Sequence, residues 1–109
     1  MTGWTLLAFA IAAEVVGTTA LRASSGLTRV APIAVTTVAY VASFALLALT
    51  LKHLSLGTTY AIWSGVGTVL IVLIGRLVYH ETISLATAAG IVLVIGGVVV
   101  IHAGGGAAR

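Results

Sequence analysis

Glu14 is the residue of this sequence whose chemistry most needs an explanation. It is the only charged side chain from Met1 to Leu21, and in a helix beginning near residue 4 it would lie roughly 15 Å along the axis. That depth is close to the middle of a bilayer, where an ionised carboxylate without a partner is costly and the protonated form is favoured. The sequence therefore predicts a proton or cation site, and the alternative is a structural glutamate buried in its neutral form.

Small and polar side chains share the helical face of Glu14. At helical spacing this face holds Leu7, Ala10, Gly17, Thr18 and Leu21. Small residues let a second helix or a ligand come close to a helix. We therefore expect the carboxylate to be approachable from this face.

Aromatic side chains recur on two later apolar segments. One segment has a face with Tyr40, Ser43, Phe44 and Leu47, and the next has a face with Tyr60, Trp63, Ser64 and Gly67. Aromatic rings bind organic cations through their negative faces, so a carboxylate near such rings predicts a site for a large lipophilic cation. A packing residue or an anchor at the membrane interface is the alternative for Tyr40 and Phe44, whereas Trp63 lies too deep to belong to an aromatic belt at the membrane surface.

Four apolar segments must position these residues. The 109 residues are 61% hydrophobic and 6% charged, with a mean hydropathy of +1.26, whereas soluble domains carry about a quarter charged residues. A membrane-spanning helix needs about 20 mainly apolar residues. The sequence predicts an all-α membrane protein with a single domain over residues 1–109 and transmembrane helices at about 4–21, 32–52, 58–79 and 85–103.

Polar residues separate the four predicted helices. The breaks fall at residues 22–26, 52–57 and 79–82. Pro32 suits the first turn of the second helix, where its missing N–H is not needed, and Ser84 can cap the fourth. Glu81 is expected to be solvated in the third break. The glycine-rich tail, residues 104–109, is expected to fray.

The basic side chains give almost no orientation signal. Lys52 and Arg109 fall on the side of the N-terminus, and Arg22, Arg29 and Arg76 fall on the other. Orientation in a membrane normally follows a clear excess of basic residues on one side. Two against three is not such an excess, so the pattern is compatible with insertion both ways.

Composition also narrows the classes of function. Little chain lies outside the four spans, so we expect no enzyme and no nucleotide-binding domain, and an ion or proton gradient as the energy source. The chain has no cysteine, and its three histidines are scattered at the ends of spans, which argues against a metal site. Five basic residues spread along the chain do not form a nucleic-acid surface. No cofactor is expected, with protons as the coupling ion.

Glycines mark two of the helices. Gly65 and Gly67 lie inside the third helix and permit close packing or a hinge. Gly90 and Gly97 lie on one stripe of the fourth helix, and a stripe of small residues is typical of a helix contact face. The spacing leaves open whether this face meets its own chain or a second copy.

Several of these stretches together resemble the small multidrug resistance family, on the side of its multidrug and quaternary ammonium exporters. The resemblance covers all four spans in register. It rests above all on Ala13-Glu14-Val15-Val16-Gly17-Thr18-Thr19 and on Tyr60-Ala61-Ile62-Trp63-Ser64-Gly65-Val66-Gly67. Guanidinium exporters of this family, the nearest alternative, tend to have a tryptophan soon after the glutamate and a threonine in place of Ser64. This chain departs from the family at Arg76 and in its glycine-rich tail.

The resemblance implies a proton-coupled antiporter of the bacterial plasma membrane, assembled as an antiparallel homodimer of dual-topology protomers. Two copies of Glu14 would form one shared site for protons and lipophilic cations. The site residues that it implies are Glu14, Tyr40, Tyr60 and Trp63, lined by Ala10, Thr18, Ser43, Phe44 and Leu47. It further implies a helix kink at Gly65 and Gly67 and a dimer interface at Gly90 and Gly97.

Two other classes of membrane protein also place a carboxylate in a span. A rotary-ATPase proteolipid or a proton channel subunit uses such a residue to carry protons, but the proteolipid has two helices and a glycine-repeat first span, which this sequence lacks. A purely structural membrane subunit is the other alternative, and only the cost of burying Glu14 argues against it.

Overall fold

Four α-helices make up most of the chain in the computed structural model, which describes residues 2–104. They are α1 (Gly3–Ala23), α2 (Val30–Thr50), α3 (Leu56–Val78) and α4 (Leu85–Ala103). Each is long and apolar enough to cross a membrane. The prediction of an all-α, multi-pass membrane protein is confirmed, while residues 105–109 of the tail expected to fray lie outside the described residues.

Hydroxyl side chains begin three of the four helices. The N-cap oxygens of Thr2, Ser55 and Ser84 accept hydrogen bonds from the backbone N–H groups of Thr5, Thr58 and Thr87, at 3.1, 3.4 and 3.1 Å. Each bond satisfies an amide that has no partner inside its helix. The expected cap at Ser84 is therefore present.

The helices begin and end within two residues of the expected positions. Two of the differences concern residues that were expected in the breaks. α1 continues to Ala23, into the expected first break, and α3 begins at Leu56, so that Gly57 lies inside its first turn. The hydroxyl of Ser55 caps α3, and this cap starts the helix ahead of the glycine.

Ser24 closes the connection between α1 and α2. It is fully buried, and its hydroxyl accepts a hydrogen bond from the N–H of Leu27 at 3.0 Å. Its carbonyl accepts from the N–H groups of Thr28 and Arg29, at 2.9 and 3.0 Å. Gly26 takes a left-handed φ of +71°, which glycine adopts without steric cost. The connection is a closed, hydrogen-bonded turn that returns the chain to α2.

The helices form two compact units, Met1–His53 with α1 and α2, and Leu54–Arg109 with α3 and α4. In the first unit, buried apolar side chains concentrate on α1, at Leu6, Leu7, Ala10, Ile11 and Val15. In the second, α4 packs on α3 at Gly65, where an added Cβ would lie 2.7 Å from a methyl group of Val98. None of the residues of α4, all of which the structure describes, is buried.

Two buried hydroxyls of α2 bond to the backbone of α1. The Oγ of Ser43 donates to the carbonyl of Ala10 at 2.7 Å. The Oγ1 of Thr36 shares its hydrogen between the carbonyl of Gly17, at 2.9 Å, and that of Pro32 in its own helix, at 3.0 Å. Lipid offers no hydrophobic drive for helix association, so helix pairing depends on close packing and on bonds of this kind. These two contacts fix the register of α2 against α1.

We predict that Thr36→Val destabilises the α1–α2 pair, because the isosteric side chain cannot donate to the α1 carbonyl. The free energy of unfolding should fall by about 0.6 kcal/mol, with about 1.7 kcal/mol as the upper bound for such bonds in membranes. Reversible unfolding in detergent or bicelles measures the loss. Thr37→Val is the matched control, since Thr37 is exposed and bonds only to Ile33 of its own helix. Equal losses in the two variants would contradict an interhelical role.

Candidate functional site

Glu14 lies near the middle of α1 and is partly buried. Its Oε1 accepts a hydrogen bond of 2.8 Å from the Oγ1 of Thr18. Residues four apart lie on the same face of a helix, so α1 supplies both the carboxylate and its donor. A hydroxyl donor stabilises the ionised form without adding a charge.

Tyr40 of α2 extends this contact to the second helix. Its hydroxyl oxygen lies 2.7 Å from the Oγ1 of Thr18, a distance at which either hydroxyl can donate. The oxygens of Tyr40, Thr18 and Glu14 therefore form a continuous hydrogen-bonded row from α2 to α1. The structure brings together three of the residues that the sequence predicted for the site.

Gly17 makes room for the ring of Tyr40. A Cβ added at residue 17 would lie 2.5 and 2.6 Å from the Cδ1 and Cε1 atoms of the ring, and 3.3 Å from the Cβ of Ala39. Side-chain carbon atoms do not approach one another so closely. Only glycine at this position lets the ring lie against the α1 backbone, where its hydroxyl reaches Thr18.

Ser43 and Thr36 bond to α1 on either side of this row. In a regular α-helix the carbonyl of Ala10 also accepts the backbone N–H of Glu14, so Ser43 bonds to the turn that carries the carboxylate. Thr36 was not predicted from the sequence. Its signal was helical spacing, because Thr36, Tyr40 and Ser43 are four and three residues apart and share one face.

The other predicted lining residues have different surroundings. Ala10 is buried. Phe44 is 57% exposed, although it follows buried Ser43, and Leu47 is partly exposed. Their place in a binding site remains a prediction.

Tyr60 and Trp63 belong to the second unit and contact each other. Their ring centroids are 5.9 Å apart and their planes meet at 79°, an edge-to-face pair. Tyr60 is 61% exposed and Trp63 partly so. The pair offers aromatic surface on α3, and its meeting with Glu14 in one site remains a prediction.

The predicted glycine positions differ in their surroundings. α3 continues as a helix through Gly65 and Gly67; Gly65 contacts the valines of α4, and Gly67 is buried. A Cβ at Gly90 or Gly97 would meet nothing within 4 Å. The kink and the dimer interface are both still predictions.

Glu81 lies in the third break and is exposed, as expected. The chain there also folds back onto α3, because the backbone N–H of Glu81 donates to the carbonyl of Gly75 at 3.0 Å. Its carboxylate lies in the space that a side chain at residue 75 would fill. The left-handed φ of His80, +56°, turns the chain back onto the end of α3.

Within residues 2–104, no three His, Cys, Asp or Glu side chains come close enough to hold a metal ion.

Four membrane-crossing helices, one with a hydrogen-bonded carboxylate at mid-length, define a small multi-pass membrane protein with an ionisable site inside a span. The chain belongs to the Small Multidrug Resistance protein family, whose sequence profile matches residues 2–94. The resemblance seen in the sequence is therefore confirmed.

Named relatives align with nearly the whole chain. Multidrug resistance protein EbrB of Bacillus subtilis (strain 168) is 46% identical over 102 residues, covering 94% of this chain and 87% of the relative. Multidrug transporter EmrE of Escherichia coli (strain K12) is 43% identical, with coverages of 94% and 93%. Quaternary ammonium compound-resistance protein QacE of Escherichia coli is 40% identical, again covering 94% and 93%.

We predict that Gly17→Ala separates Tyr40 from Thr18, because the new methyl group would occupy the space of the tyrosine ring. Overpacking of this kind typically lowers the free energy of unfolding by about 1–3 kcal/mol. Unfolding in detergent measures the loss, and the NMR signal of the Tyr40 ring should shift.

Gly57→Ala is the matched control, because a Cβ there meets nothing within 4 Å. Alanine is favoured over glycine in helices by roughly 1 kcal/mol, so this variant should be neutral or slightly more stable. A Gly17→Ala variant as stable as this control would show that the ring does not need the space.

Proposed function

We propose that this chain is a proton-coupled antiporter that exports lipophilic and quaternary ammonium cations in exchange for protons, and is not an enzyme. The observation that carries the proposal is the carboxylate of Glu14, placed mid-way along a membrane helix and bonded to a neutral hydroxyl. Membership of the Small Multidrug Resistance family supports it. The names of two relatives, a multidrug transporter and a quaternary ammonium compound-resistance protein, support the class of cargo.

Exchange follows from competition for one carboxylate. A carboxylate inside the membrane must be neutralised, either by a proton or by a cation. A cation that pairs with Glu14 displaces the proton, and a proton that binds Glu14 releases the cation. If the site opens to one side of the membrane at a time, this competition couples the outward movement of the cation to the inward movement of protons.

Aromatic surface suits the proposed cargo. Quaternary ammonium cations have no N–H to donate, so they bind through charge and contact with aromatic faces rather than through directed hydrogen bonds. Tyr60 and Trp63 present such surface on α3, and Tyr40 presents its ring beside Glu14. In the proposed site, Ala10, Ser43, Phe44 and Leu47 line the remaining space.

The proposed functional unit is an antiparallel homodimer in the bacterial plasma membrane. Two copies of Glu14 would share one site, in which the repulsion between two carboxylates makes the pair the titrating unit. The open stripe of Gly90 and Gly97 on α4, a helix without buried residues, supports a second copy as the partner of that face. The near-balanced basic side chains support insertion in both orientations.

Glu14→Gln should abolish both cation binding and substrate-induced proton release, because the amide can neither pair with a cation nor exchange a proton. Glu14→Asp should keep activity with a shifted pH dependence. In the unmodified protein, cation affinity should rise with pH as the competing proton leaves Glu14. Binding of a radiolabelled quaternary ammonium compound at a series of pH values tests all three statements.

Glu81→Gln is the matched control for this experiment, because Glu81 is the only other acidic side chain of the chain and lies at the end of α3. It should bind and exchange as the unmodified protein does. Transport by the Glu14→Gln variant would rule out the proposed mechanism.

Trp63→Ala should weaken the binding of aromatic and quaternary cations by about two- to thirtyfold, the range that corresponds to a cation–π contact of about 0.5–2 kcal/mol. Tyr60→Phe should cost less, because the ring face remains. Isothermal titration with a large aromatic cation and with a small hydrophilic cation measures the difference. Equal losses for both ligands would assign Trp63 a role in folding alone.

Gly97→Val should convert dimers into monomers and abolish binding, since a larger side chain on the proposed dimer interface, the seam between the two copies of α4, would hold these helices apart. Crosslinking in mild detergent and light scattering give the oligomeric state. Gly96→Val is the matched control, because Gly96 is also in open space but lies about 100° around the helix. Dimers that survive in the Gly97→Val variant would refute the assignment of the seam.

A further inference from the structure

Thr18 has one hydroxyl hydrogen and two hydrogen-bond neighbours. Its Oγ1 lies 2.8 Å from the Oε1 of Glu14 and 2.7 Å from the hydroxyl oxygen of Tyr40. A threonine hydroxyl donates once and accepts through its lone pairs. The direction of one contact therefore fixes the direction of the other.

When Glu14 is ionised, its carboxylate can only accept. Thr18 must then donate to Glu14, and the only hydrogen left for the second contact is that of Tyr40. Tyr40 accordingly donates to Thr18, and the lone pairs of its oxygen point away from the row. To a ligand beside Glu14, the tyrosine presents an acceptor.

When Glu14 carries a proton on Oε1, both hydrogen bonds of the row can point in the opposite direction. The protonated carboxyl donates to Thr18, Thr18 donates to Tyr40, and the hydrogen of Tyr40 turns outward. Each hydroxyl proton stays on its own oxygen and only rotates, so no covalent bond breaks in either side chain. The oxygen atoms need not move, because distances of 2.7 and 2.8 Å suit O–H···O bonds in both directions.

We infer that Thr18 is a positioning residue that ties the direction of the Tyr40 hydroxyl to the protonation state of Glu14. Tyr40 then presents a cation with an acceptor oxygen when Glu14 is ionised and with a hydrogen when Glu14 is protonated. This inference rests on the proposed function for its biological meaning. The coupling makes proton and cation compete more strongly for the site. Protonation of Glu14 removes its negative charge and also reverses the direction of the Tyr40 hydroxyl.

Other ionisable groups near the row are few. On α1, Arg22 lies eight residues beyond Glu14, about 12 Å along the axis. α2, which packs against α1, has no ionisable side chain other than Tyr40. Glu14 is thus the group whose proton sets the direction of the row within this helix pair.

The sequence permits a direct spectroscopic test in the full-length protein. In a Glu81→Gln background, Glu14 is the only acidic side chain, so ¹³C-labelled glutamate reports its carboxyl group alone. ¹³Cζ-labelled tyrosine reports the hydrogen bonding of three rings, and Tyr40→Phe identifies the signal of Tyr40. Both labels are followed by NMR in lipid bicelles as the pH is changed, without any substrate.

The signal of Tyr40 should change at the same pH midpoint as that of Glu14 when Thr18 is intact. Thr18→Ser keeps the hydroxyl and should keep this joint titration. Thr18→Val removes the hydroxyl, so the Tyr40 signal should no longer follow Glu14.

Two results would overturn the inference. They are a Tyr40 signal that stays constant while Glu14 titrates in the protein with Thr18 intact, and a Tyr40 signal that still follows Glu14 in Thr18→Val. The first needs no substitution at Thr18 and so holds even if Thr18→Val fails to fold. Because no cation is present, a failure of transport or of cation binding in separate assays would count against the proposed function and not against this coupling.

Discussion

The close approach of α2 to α1 at Gly17 is the constraint on which the site depends. The ring of Tyr40 occupies the space that any other side chain at residue 17 would need. From there its hydroxyl reaches Thr18, and Thr18 reaches Glu14. The buried bonds from Ser43 and Thr36 to α1 carbonyls hold the same approach on both sides. The absence of a side chain at residue 17 thus decides whether α2, as well as α1, contributes to the surroundings of the carboxylate.

The partner of the carboxylate is a hydroxyl rather than a base, and this difference has chemical consequences. An arginine or lysine within a few ångströms would hold Glu14 ionised and would weaken its binding of a proton or a cation. A hydroxyl offers only part of that stabilisation. It can also turn from donor to acceptor, so it satisfies the carboxyl group with or without its proton. Neutral hydroxyls therefore suit a group that must change charge inside a membrane.

The helices could be predicted from sequence because their signal is local. Uncharged runs gave the four spans, and the cap at Ser84 followed from residue type and position. The end of α1 was less predictable, because the bonds of Ser24 that close the turn depend on the chain's return to α2. Likewise, Glu81 folds back over Gly75 because His80 has a left-handed φ, and the residue type does not predict this conformation.

The site was predictable only in part, for the same physical reason. Glu14 was evident from its cost in an apolar span, and Thr18 followed from helical spacing on the same helix. Nothing in the spacing of α2 set its rotation and height against α1, so the contact of Tyr40 with Thr18 and the bond of Thr36 to Gly17 required coordinates. The relation of Tyr60 and Trp63 to Glu14 depends on long-range packing in the same way.

The bonds from Ser43 and Thr36 end on backbone carbonyls, and this has an evolutionary consequence. Every amino acid supplies the same carbonyl, so the acceptor side of each bond places no demand on the residue identity at Ala10 or Gly17. For these two bonds, the side chains that set the pairing of the helices therefore lie in α2 alone. α1 is left free to vary except where the carboxylate, its donor and the ring of Tyr40 restrict it. Correlated substitutions between aligned sequences would miss both bonds, since the acceptor of each bond is a backbone carbonyl that no substitution changes.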